Sequence, residues 1–269
     1  MTLIRWAWAI MAAAAVSACQ TVQTTRSGAV GVERQQTMLL SSATVNSSAA
    51  QAYRKTMQDA ARKGELNRDP AMLARVRRIQ SRLVAATGAF RSDAPGWAWE
   101  INVISSSDLN AWAMPGGKMA INSGIIDRLR LSDDELAAIL GHEMAHALRE
   151  HGREQASQAM AQSVGLAVIG AALGVGEAAT DLAGIIADLT FNLPNSREHE
   201  READRIGVEL AARGGFDPRA AVALWQKMAQ AGGGGPPQFL STHPSPENRI
   251  SDLQTHAARV MPLYYGARR

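Results

Sequence analysis

Residues 140–146 read Leu-Gly-His-Glu-Met-Ala-His, and this motif combines two nitrogen ligands with a carboxylate that can move a proton. On an α-helix, positions four apart lie on one face, so His142 and His146 can present both imidazoles to one metal ion. Glu143 lies about 100° around the helix and can act as a base on water at that ion. This is the arrangement of zinc hydrolases. The alternative is that both histidines are ordinary core or surface residues.

The residues around this motif predict the helix that its spacing requires. Ser132 and Glu135 have the spacing of a capping box, in which each side chain accepts the backbone N–H of the other residue. Two more acids occupy the first turn, where the helix dipole favours negative charge. Gly152 is the predicted end of this helix. Apolar residues recur at helical spacing and predict a buried stripe: Leu136, Ile139, Leu140, Met144 and Leu148.

A second acidic stretch supplies a candidate third ligand. Residues 194–196, Pro-Asn-Ser, predict the start of a helix, on which Glu200 and Asp204 share one face. Glu200 can complete the metal site, and Asp204 can hold a ligating histidine by its other ring nitrogen. Ala203 and Gly207 are small enough to let this helix approach the first one closely. The remaining charged residues of this stretch fit a solvated helix face: Glu198, Arg201, Glu202 and Arg205.

These segments together resemble the HtpX/BepA/LoiP-like zinc metallopeptidases, relatives of the CAAX prenyl protease. The resemblance rests on the His-Glu-x-x-His motif and on the pattern Ser-Arg-x-x-Glu-x-x-Ala-Asp-x-x-Gly over residues 196–207. Residues 110–117 and 241–250 match two further segments of that family. HtpX-like members carry transmembrane helices, whereas this chain shows none after residue 19, so it is closer to the BepA- and LoiP-like members.

The resemblance implies an α+β fold, mostly α-helical, of the zincin type, with a small antiparallel sheet beside the metal-binding helix. It also implies one Zn²⁺ per chain, bound by His142, His146 and Glu200. Glu143 would be the catalytic base, and Asp204 would support a ligand from behind.

His243 lies in the segment that resembles the family's late His-Pro motif. In BepA-like proteins the matching histidine can approach the zinc and hold the enzyme in a resting state. It could instead stabilise the oxyanion of the reaction, or it could simply cap or pack against the helix expected from Pro246. The sequence leaves these three roles open.

A small sheet is expected immediately before the metal-binding helix. Residues 97–105 alternate in polarity and predict a strand, and residues 115–117 predict the turn of a hairpin. The first strand of this hairpin would hold an extended substrate backbone by strand addition, unless the hairpin is purely structural. That strand comprises Asn110, Ala111, Trp112, Ala113 and Met114.

The composition is that of an ordinary globular domain. The chain has 269 residues, of which 46% are hydrophobic and 20% are charged, and its formal net charge is +3. Because the basic residues are scattered, nucleic acid is not an expected partner. The oligomeric state is not predicted.

The beginning of the chain resembles a secretory signal with a lipoprotein cleavage site. Arg5 precedes an apolar run, and residues 16–19 read Val-Ser-Ala-Cys, so residues 1–18 are interpreted as a signal peptide and Cys19 as a lipidated residue. The alternative is an ordinary signal peptide with an incidental cysteine. Residues 19–45 show no period and predict a flexible tether, followed by a peptidase domain over residues 46–265. This pattern predicts a Gram-negative outer-membrane lipoprotein whose domain faces the periplasm.

The function expected from the sequence is a zinc-dependent endopeptidase that degrades misfolded or stalled envelope proteins as part of protein quality control. The substrate class follows from the resemblance and the expected compartment. The alternative from another class is a chaperone-like adaptor for outer-membrane protein assembly, with little or no hydrolysis. An intact Glu143 favours the enzyme, because an adaptor has no need of the base. A purely structural zinc site is disfavoured, since such sites usually have four Cys or His ligands.

Overall fold

The computed structural model describes residues 20–172, 181–231, 237–244 and 248–269. The described strands are β1 (Gln20–Val22), β2 (Gln36–Met38), β3 (Glu100–Ile104), β4 (Ala111–Met114) and β5 (Lys118–Asn122). The described helices are α1 (Ser42–Arg62), α2 (Pro70–Ala86), α3 (Ser123–Arg128), α4 (Asp133–Leu148), α5 (His151–Ala172), α6 (Leu182–Phe191), α7 (Arg197–Arg213), α8 (Ala220–Gln230), α9 (Gln238–Thr242) and α10 (Arg249–Ala267). The prediction of a mostly helical α+β fold is confirmed.

Helix α4 is the central element of the core. It begins at the predicted capping box, in which the Ser132 hydroxyl accepts the Glu135 N–H and the Glu135 carboxylate accepts the Ser132 N–H. The helix is buried on every side from Glu135 to Leu148, so its histidines lie in the interior. It ends at Leu148 rather than near the predicted Gly152, because Glu150 adopts a left-handed backbone conformation with φ of 52°.

Helices α4 and α7 cross in close contact at two glycines. A Cβ atom on Gly141 would lie 2.8 Å from the carbonyl oxygen of Gly207, and one on Gly207 would lie 2.8 Å from the backbone nitrogen of His142. Real Cβ atoms do not approach backbone this closely, so both positions require glycine. The close approach predicted from Gly207 is confirmed, and it brings the motifs of the two helices face to face.

The sheet beside α4 is mixed rather than wholly antiparallel. Its strand order is β3-β5-β4. Strands β4 and β5 form the predicted antiparallel hairpin, whose turn uses Gly116 and Gly117 at φ of 81° and 80°. Strand β3 pairs in parallel with β5, which corrects the expected antiparallel sheet. The reason is that residues 105–110 carry the chain back across the sheet before β4 begins, so β3 and β5 run the same way.

The predicted tether over residues 19–45 is wrong for the part that the structure describes. Val30 and Val32 are buried in the main core, and the Val30 N–H donates to Glu209 on α7 at 3.0 Å. The Arg34 guanidinium pairs with Glu154 on α5 at 2.7 Å. The packing of this segment could not be predicted, because single side chains and ion pairs hold it against the core. Contacts of this kind leave no periodic pattern in the sequence.

Residues 1–19 lie outside the described part of the chain, so the predicted signal peptide and the lipidation of Cys19 remain predictions. Within the described ranges, none of the helices combines the length and the apolar character that crossing a membrane requires. The Gly- and Ala-rich stretch over residues 163–190 predicts two helices packed near the site; residues 163–172 belong to α5 and residues 182–190 to α6.

The glycine contact predicts that Gly207→Ala lowers the free energy of unfolding. The added methyl group must push α4 and α7 apart, and overpacking of this kind costs about 1–3 kcal/mol. The matched control is Gly266→Ala on α10, where a Cβ meets nothing within 4 Å, and where replacing a helical glycine should slightly stabilise the fold. Urea titrations followed by circular dichroism measure both changes. Equal stability changes in the two variants would contradict the close contact.

Candidate metal centre

Helix α4 carries His142 and His146 side by side, one turn apart, on its buried surface. Their Nε2 atoms lie 3.1 Å apart, and both side chains are buried. Two imidazole nitrogens at this separation, aimed at one point, cannot both carry a proton without repulsion. The spacing read from the sequence therefore produces two ligands directed at one centre.

Helix α7 supplies the third group, and it starts where the sequence predicts. The Ser196 hydroxyl accepts the His199 N–H and caps the helix. Glu200 follows in the first turn with its side chain fully buried. Its Oε2 lies 3.4 Å from His142 Nε2 and its Oε1 lies 3.3 Å from His146 Nε2. The predicted ligand set of two histidines and one glutamate is thus brought together.

His243 occupies a fourth corner of the same cluster. Its Nδ1 lies 3.2 Å from His142 Nε2 and 3.0 Å from Glu200 Oε1. The His243 ring stacks on Phe239 at a centroid distance of 4.2 Å. The backbone N–H of His243 donates to the backbone carbonyl of Phe239 in α9. The position is therefore held by packing and by the backbone, close to the other three groups.

The four groups fit a metal ion. Each offers one ligand atom, and these atoms lie within 4.8 Å of one another. For ligands about 2.0–2.1 Å from a tetrahedral zinc ion, the separation between ligand atoms is roughly 3.3 Å. The measured separations between neighbouring atoms run from 3.0 to 3.4 Å. A buried set of nitrogens and carboxylate oxygens with these spacings has the size and chemistry of a zinc site.

Asp204 lies where the sequence predicts, behind His142. Its Oδ1 lies 3.0 Å from His142 Nδ1, and because an ionised carboxylate can only accept, that nitrogen carries the proton. In the neutral imidazole of His142 the lone pair is then on Nε2, which faces the cluster. Asp204 is held in turn by Arg249, whose Nε donates to Oδ2 at 2.6 Å while its Nη2 donates to Glu200 at 2.6 Å.

The charges of the cluster favour a cation at its centre. Burial disfavours the charged form of His142, yet the nearby Glu200 and Asp204 carboxylates raise the pKa of its imidazole to about 10. Burial lowers the pKa of His146 to about 3, although Glu200 acts in the opposite direction. A second proton on His142, at Nε2, therefore supplies a positive charge that balances the nearby carboxylates. A bound metal would take over that charge and release the proton.

Glu143 points to the other side of the centre, into a cleft. Within the described chain its Oε1 has no hydrogen-bond partner although the side chain is buried, and the nearest ring nitrogen is His243 Nε2 at 3.4 Å. The cleft is lined by α4, by the start of α5, by α6 and by β4, with Trp112, Ala113 and Pro115 along one wall. The predicted substrate strand therefore borders the same space as Glu143.

Several functional neighbours were missed from the sequence. Because His151 lies nine residues after His142, about 180° around a continuous helix, the spacing predicts that it faces away from the metal, but its Nδ1 lies 2.9 Å from His146 Nδ1. Glu202, interpreted as solvated, is buried and pairs with Arg149 and His151. No sequence signal separates His199 and His256 from ordinary surface histidines, which is what we predict them to be from the sequence, yet both are buried. The error with His151 follows from extending α4 past Leu148. Arg249 could have been predicted as a residue of the site, because it lies in the segment 241–250 on which the family resemblance partly rests.

Residues 70–257 match Peptidase family M48. The chain belongs to this family. It is 36% identical to the mitochondrial metalloendopeptidase OMA1 of Schizosaccharomyces pombe over 66% of this chain and 51% of that protein. It is 33% identical to the Arabidopsis thaliana protein of the same name over 67% of this chain and 35% of that protein. It is 29% identical to the beta-barrel assembly-enhancing protease of Escherichia coli over 72% of this chain and 41% of that protein.

The assignment to a metallopeptidase family from the two motifs is confirmed at the level of family M48, whereas the narrower placement among the BepA- and LoiP-like members stays a prediction. The match spans between about a third and a half of the length of the curated relatives.

The predicted location is wrong: relatives from fungi, a plant and cattle are named as mitochondrial proteins, which does not support a Gram-negative outer-membrane lipoprotein. The physical reason for the error is that the location rested on the short pattern at residues 16–19, whereas the family signal lies in the folded domain.

The geometry predicts about one zinc ion per wild-type chain and a sharp loss in Glu200→Ala. The chain tested begins at Gln20, since β1 and the segment after it are part of the fold. Removal of the carboxylate leaves only the neutral imidazoles of His142, His146 and His243, and the Arg249 guanidinium, no longer paired with Glu200, would repel a cation. The control is Glu198→Ala, which removes a half-exposed carboxylate from the same helix. Plasma emission analysis of dialysed protein gives the stoichiometry. Equal zinc content in wild type and Glu200→Ala would contradict the assignment.

Proposed function

We propose that the protein is a zinc-dependent endopeptidase, with His142, His146 and Glu200 as the metal ligands and Glu143 as the catalytic base. The observation that carries this proposal is the four-atom cluster with ligand-sized spacings beside a buried Glu143 whose Oε1 makes no hydrogen bond among the described residues. Membership of a peptidase family supports it. Zinc in this site would act as a Lewis acid, which activates water and polarises the scissile carbonyl.

Glu143 has the properties required of the base. Burial raises the pKa of its carboxyl group, which brings it closer to neutral pH, where a group can both take and return a proton. Glu143 would remove a proton from the attacking water and then deliver it to the leaving amine. Since its Oε1 makes no hydrogen bond within the described residues, one acceptor position is left for that proton.

Strand β4 is the proposed binding site for the substrate backbone. It lies at an edge of its sheet, because the strand order is β3-β5-β4, and it borders the cleft that contains Glu143. An extended peptide can add to such an edge through backbone hydrogen bonds. The residues from Asn110 to Met114 would hold the peptide, and this mode accepts many side-chain sequences provided that the segment is unfolded.

His243 is proposed to hold a resting state. Its Nδ1 lies at a fourth corner of the cluster, and its Nε2 lies 3.4 Å from Glu143. A histidine at this corner competes for the position that water and the scissile carbonyl need, so the described conformation would be inactive. When His243 leaves this corner, it could instead stabilise the oxyanion. Both roles place the histidine at the zinc, in contrast to a purely packing residue.

The proposed substrates are misfolded or stalled proteins, including envelope proteins. Binding by strand addition requires an extended chain, which folded proteins rarely offer. The name of the Escherichia coli relative, beta-barrel assembly-enhancing protease, joins hydrolysis to assembly of other proteins. That name also keeps a second candidate open, in which the protein acts as a chaperone-like adaptor and hydrolyses little. The buried Glu143, whose Oε1 makes no hydrogen bond among the described residues, favours the enzyme, since an adaptor gains nothing from such a group.

The proposed mechanism predicts that Glu143→Gln abolishes cleavage while zinc remains bound. The amide has nearly the same shape but cannot take a proton, so the rate should fall by about 10²–10⁴-fold. Cleavage of fluorescein-labelled β-casein by zinc-loaded protein measures the rate. The control is Glu198→Gln on α7, which should retain wild-type cleavage and zinc content.

Two results would contradict the proposal, the first its assignment of the base and the second its assignment of enzymatic activity. The first is equal cleavage by Glu143→Gln and wild type at equal zinc content, which would remove Glu143 from the mechanism. The second is saturable binding of β-casein without cleavage in either protein, including a His243→Ala version in which the fourth corner is free. That second result would favour the adaptor.

A further inference from the structure

His151 is a buried histidine next to the metal centre to which the proposed mechanism gives no role. Its side chain is 1% exposed, and its Nδ1 lies 2.9 Å from Nδ1 of His146. It reaches this place because Glu150 has φ of 52°, which separates α4 from α5 and turns the first residue of α5 back over the His146 ring. Two ring nitrogens at 2.9 Å form one hydrogen bond and share one proton.

Glu202 determines which nitrogen of His151 carries a proton. Its carboxylate accepts two hydrogen bonds from Arg149, at 3.1 and 3.0 Å, and two from Arg34, at 2.9 and 3.1 Å. A carboxylate held by two guanidinium groups is ionised and can only accept. His151 Nε2 lies 2.9 Å from Glu202 Oε2. That nitrogen must therefore be a donor.

The charges around this contact balance without a proton on the second nitrogen of His151. The cations of Arg149 and Arg34 face the carboxylates of Glu202 and Glu154, with Arg34 Nη1 2.7 Å from Glu154 Oε1. A charged imidazole would add a third cation against two anions, beside the ring of His199, which stacks on His151 at 4.2 Å and itself contacts Glu154; this is unfavourable in a water-poor interior. His151 is then neutral, with its proton on Nε2 and its lone pair on Nδ1.

The direction of the next hydrogen bond follows. Because His151 Nδ1 can only accept, the proton of the shared bond belongs to His146 Nδ1. The lone pair of His146 is consequently on Nε2, the atom that lies 3.3 Å from Glu200 Oε1 in the ligand cluster. The chain of bonds runs from the Glu202 carboxylate through one ring into the next, and each donor and acceptor is satisfied.

We propose that His151, supported by Glu202, is a positioning residue that holds His146 in the tautomer able to bind the metal. It does for His146 what Asp204 does for His142, but with a neutral ring inserted between the carboxylate and the ligand. The inference rests on the proposed zinc site, because it concerns the readiness of His146 to act as a ligand. It also explains why the segment around Arg34 packs so close to the centre, since that arginine helps to orient Glu202.

Zinc affinity tests the role of His151. The protein from Gln20 onwards is prepared as wild type, His151→Phe and His151→Gln, and Zn²⁺ is titrated in competition with a chromophoric chelator. Phenylalanine keeps the ring but loses both hydrogen bonds, and loss of such an outer partner weakens metal binding by about 10–100-fold. Glutamine can accept from His146 and donate to Glu202, so it should restore an affinity close to that of wild type.

The control is His256→Phe, the same replacement of a buried histidine that pairs with Asp252 on α10. It should change thermal stability without changing zinc affinity. If His151→Phe lowers the melting temperature of the metal-free protein but binds Zn²⁺ as tightly as wild type, His151 is merely structural and the proposal fails. If wild type itself binds no Zn²⁺, the proposed function fails first, and the two failures are thus distinguishable.

A second measurement does not depend on any variant folding. Long-range ¹H–¹⁵N correlation spectra of wild-type protein report which ring nitrogens of each histidine carry protons. We expect His146 to be protonated at Nδ1 and His151 at Nε2, with a coupling across the hydrogen bond between the two Nδ1 atoms. A proton on Nδ1 of His151 would overturn the proposal.

Discussion

The contact between α4 and α7 is the constraint on which the metal centre depends. At Gly141 and Gly207 the two backbones touch with no side chain between them. Each helix contributes part of the site, since α4 carries His142, Glu143 and His146 and α7 carries Glu200 and Asp204. A carboxylate side chain is short, so Glu200 can reach both imidazoles only if the helices are this close. The small residues in the two motifs are therefore as necessary to the site as the ligands.

Such a concentration of polar groups in the core is stable because the charged groups behind the cluster pair with one another. Arg249 bridges Glu200 and Asp204 and lies over the Trp225 ring at 3.5 Å. On the opposite side of the centre, Arg149 and Arg34 hold Glu202. Burying an unpaired charge is strongly unfavourable, whereas paired and hydrogen-bonded charges are tolerated. The proposed ligands are thus fixed from behind by two arginine-centred networks, and their ligand atoms face one centre.

The parts of the site that were predictable from the sequence are those with local, periodic signals. The capping box at Ser132, the turn-spaced histidines and the cap at Ser196 each depend on residues a few positions apart, and each is found where expected. The parts that were missed depend on distant contacts. The break between helices α4 and α5 at Glu150 requires a non-glycine residue in the left-handed backbone conformation, which no spacing rule predicts. Because of this break, His151 points to a different side than it would on a continuous helix.

The first part of the described chain illustrates the same limit. Residues from Gln20 to Met38 contain few apolar side chains, and those few are irregularly spaced. Their attachment comes from Val30, from Val32 and from the Arg34 ion pairs, whose partners Glu154 and Glu202 lie more than a hundred positions away. A tether and an irregular segment packed onto a core look alike in composition. The difference becomes visible once the buried carboxylates on α5 and α7 are located.

The central claim is that one zinc ion lies between the two helices, and anomalous scattering from crystals of zinc-loaded protein tests it most directly. Data collected on both sides of the zinc absorption edge locate the ion without reference to any activity. The account predicts one strong peak about 2.0–2.2 Å from His142 Nε2, His146 Nε2 and a carboxylate oxygen of Glu200. A zinc ion bound elsewhere, with Glu200 still paired only to protein groups, would contradict the account.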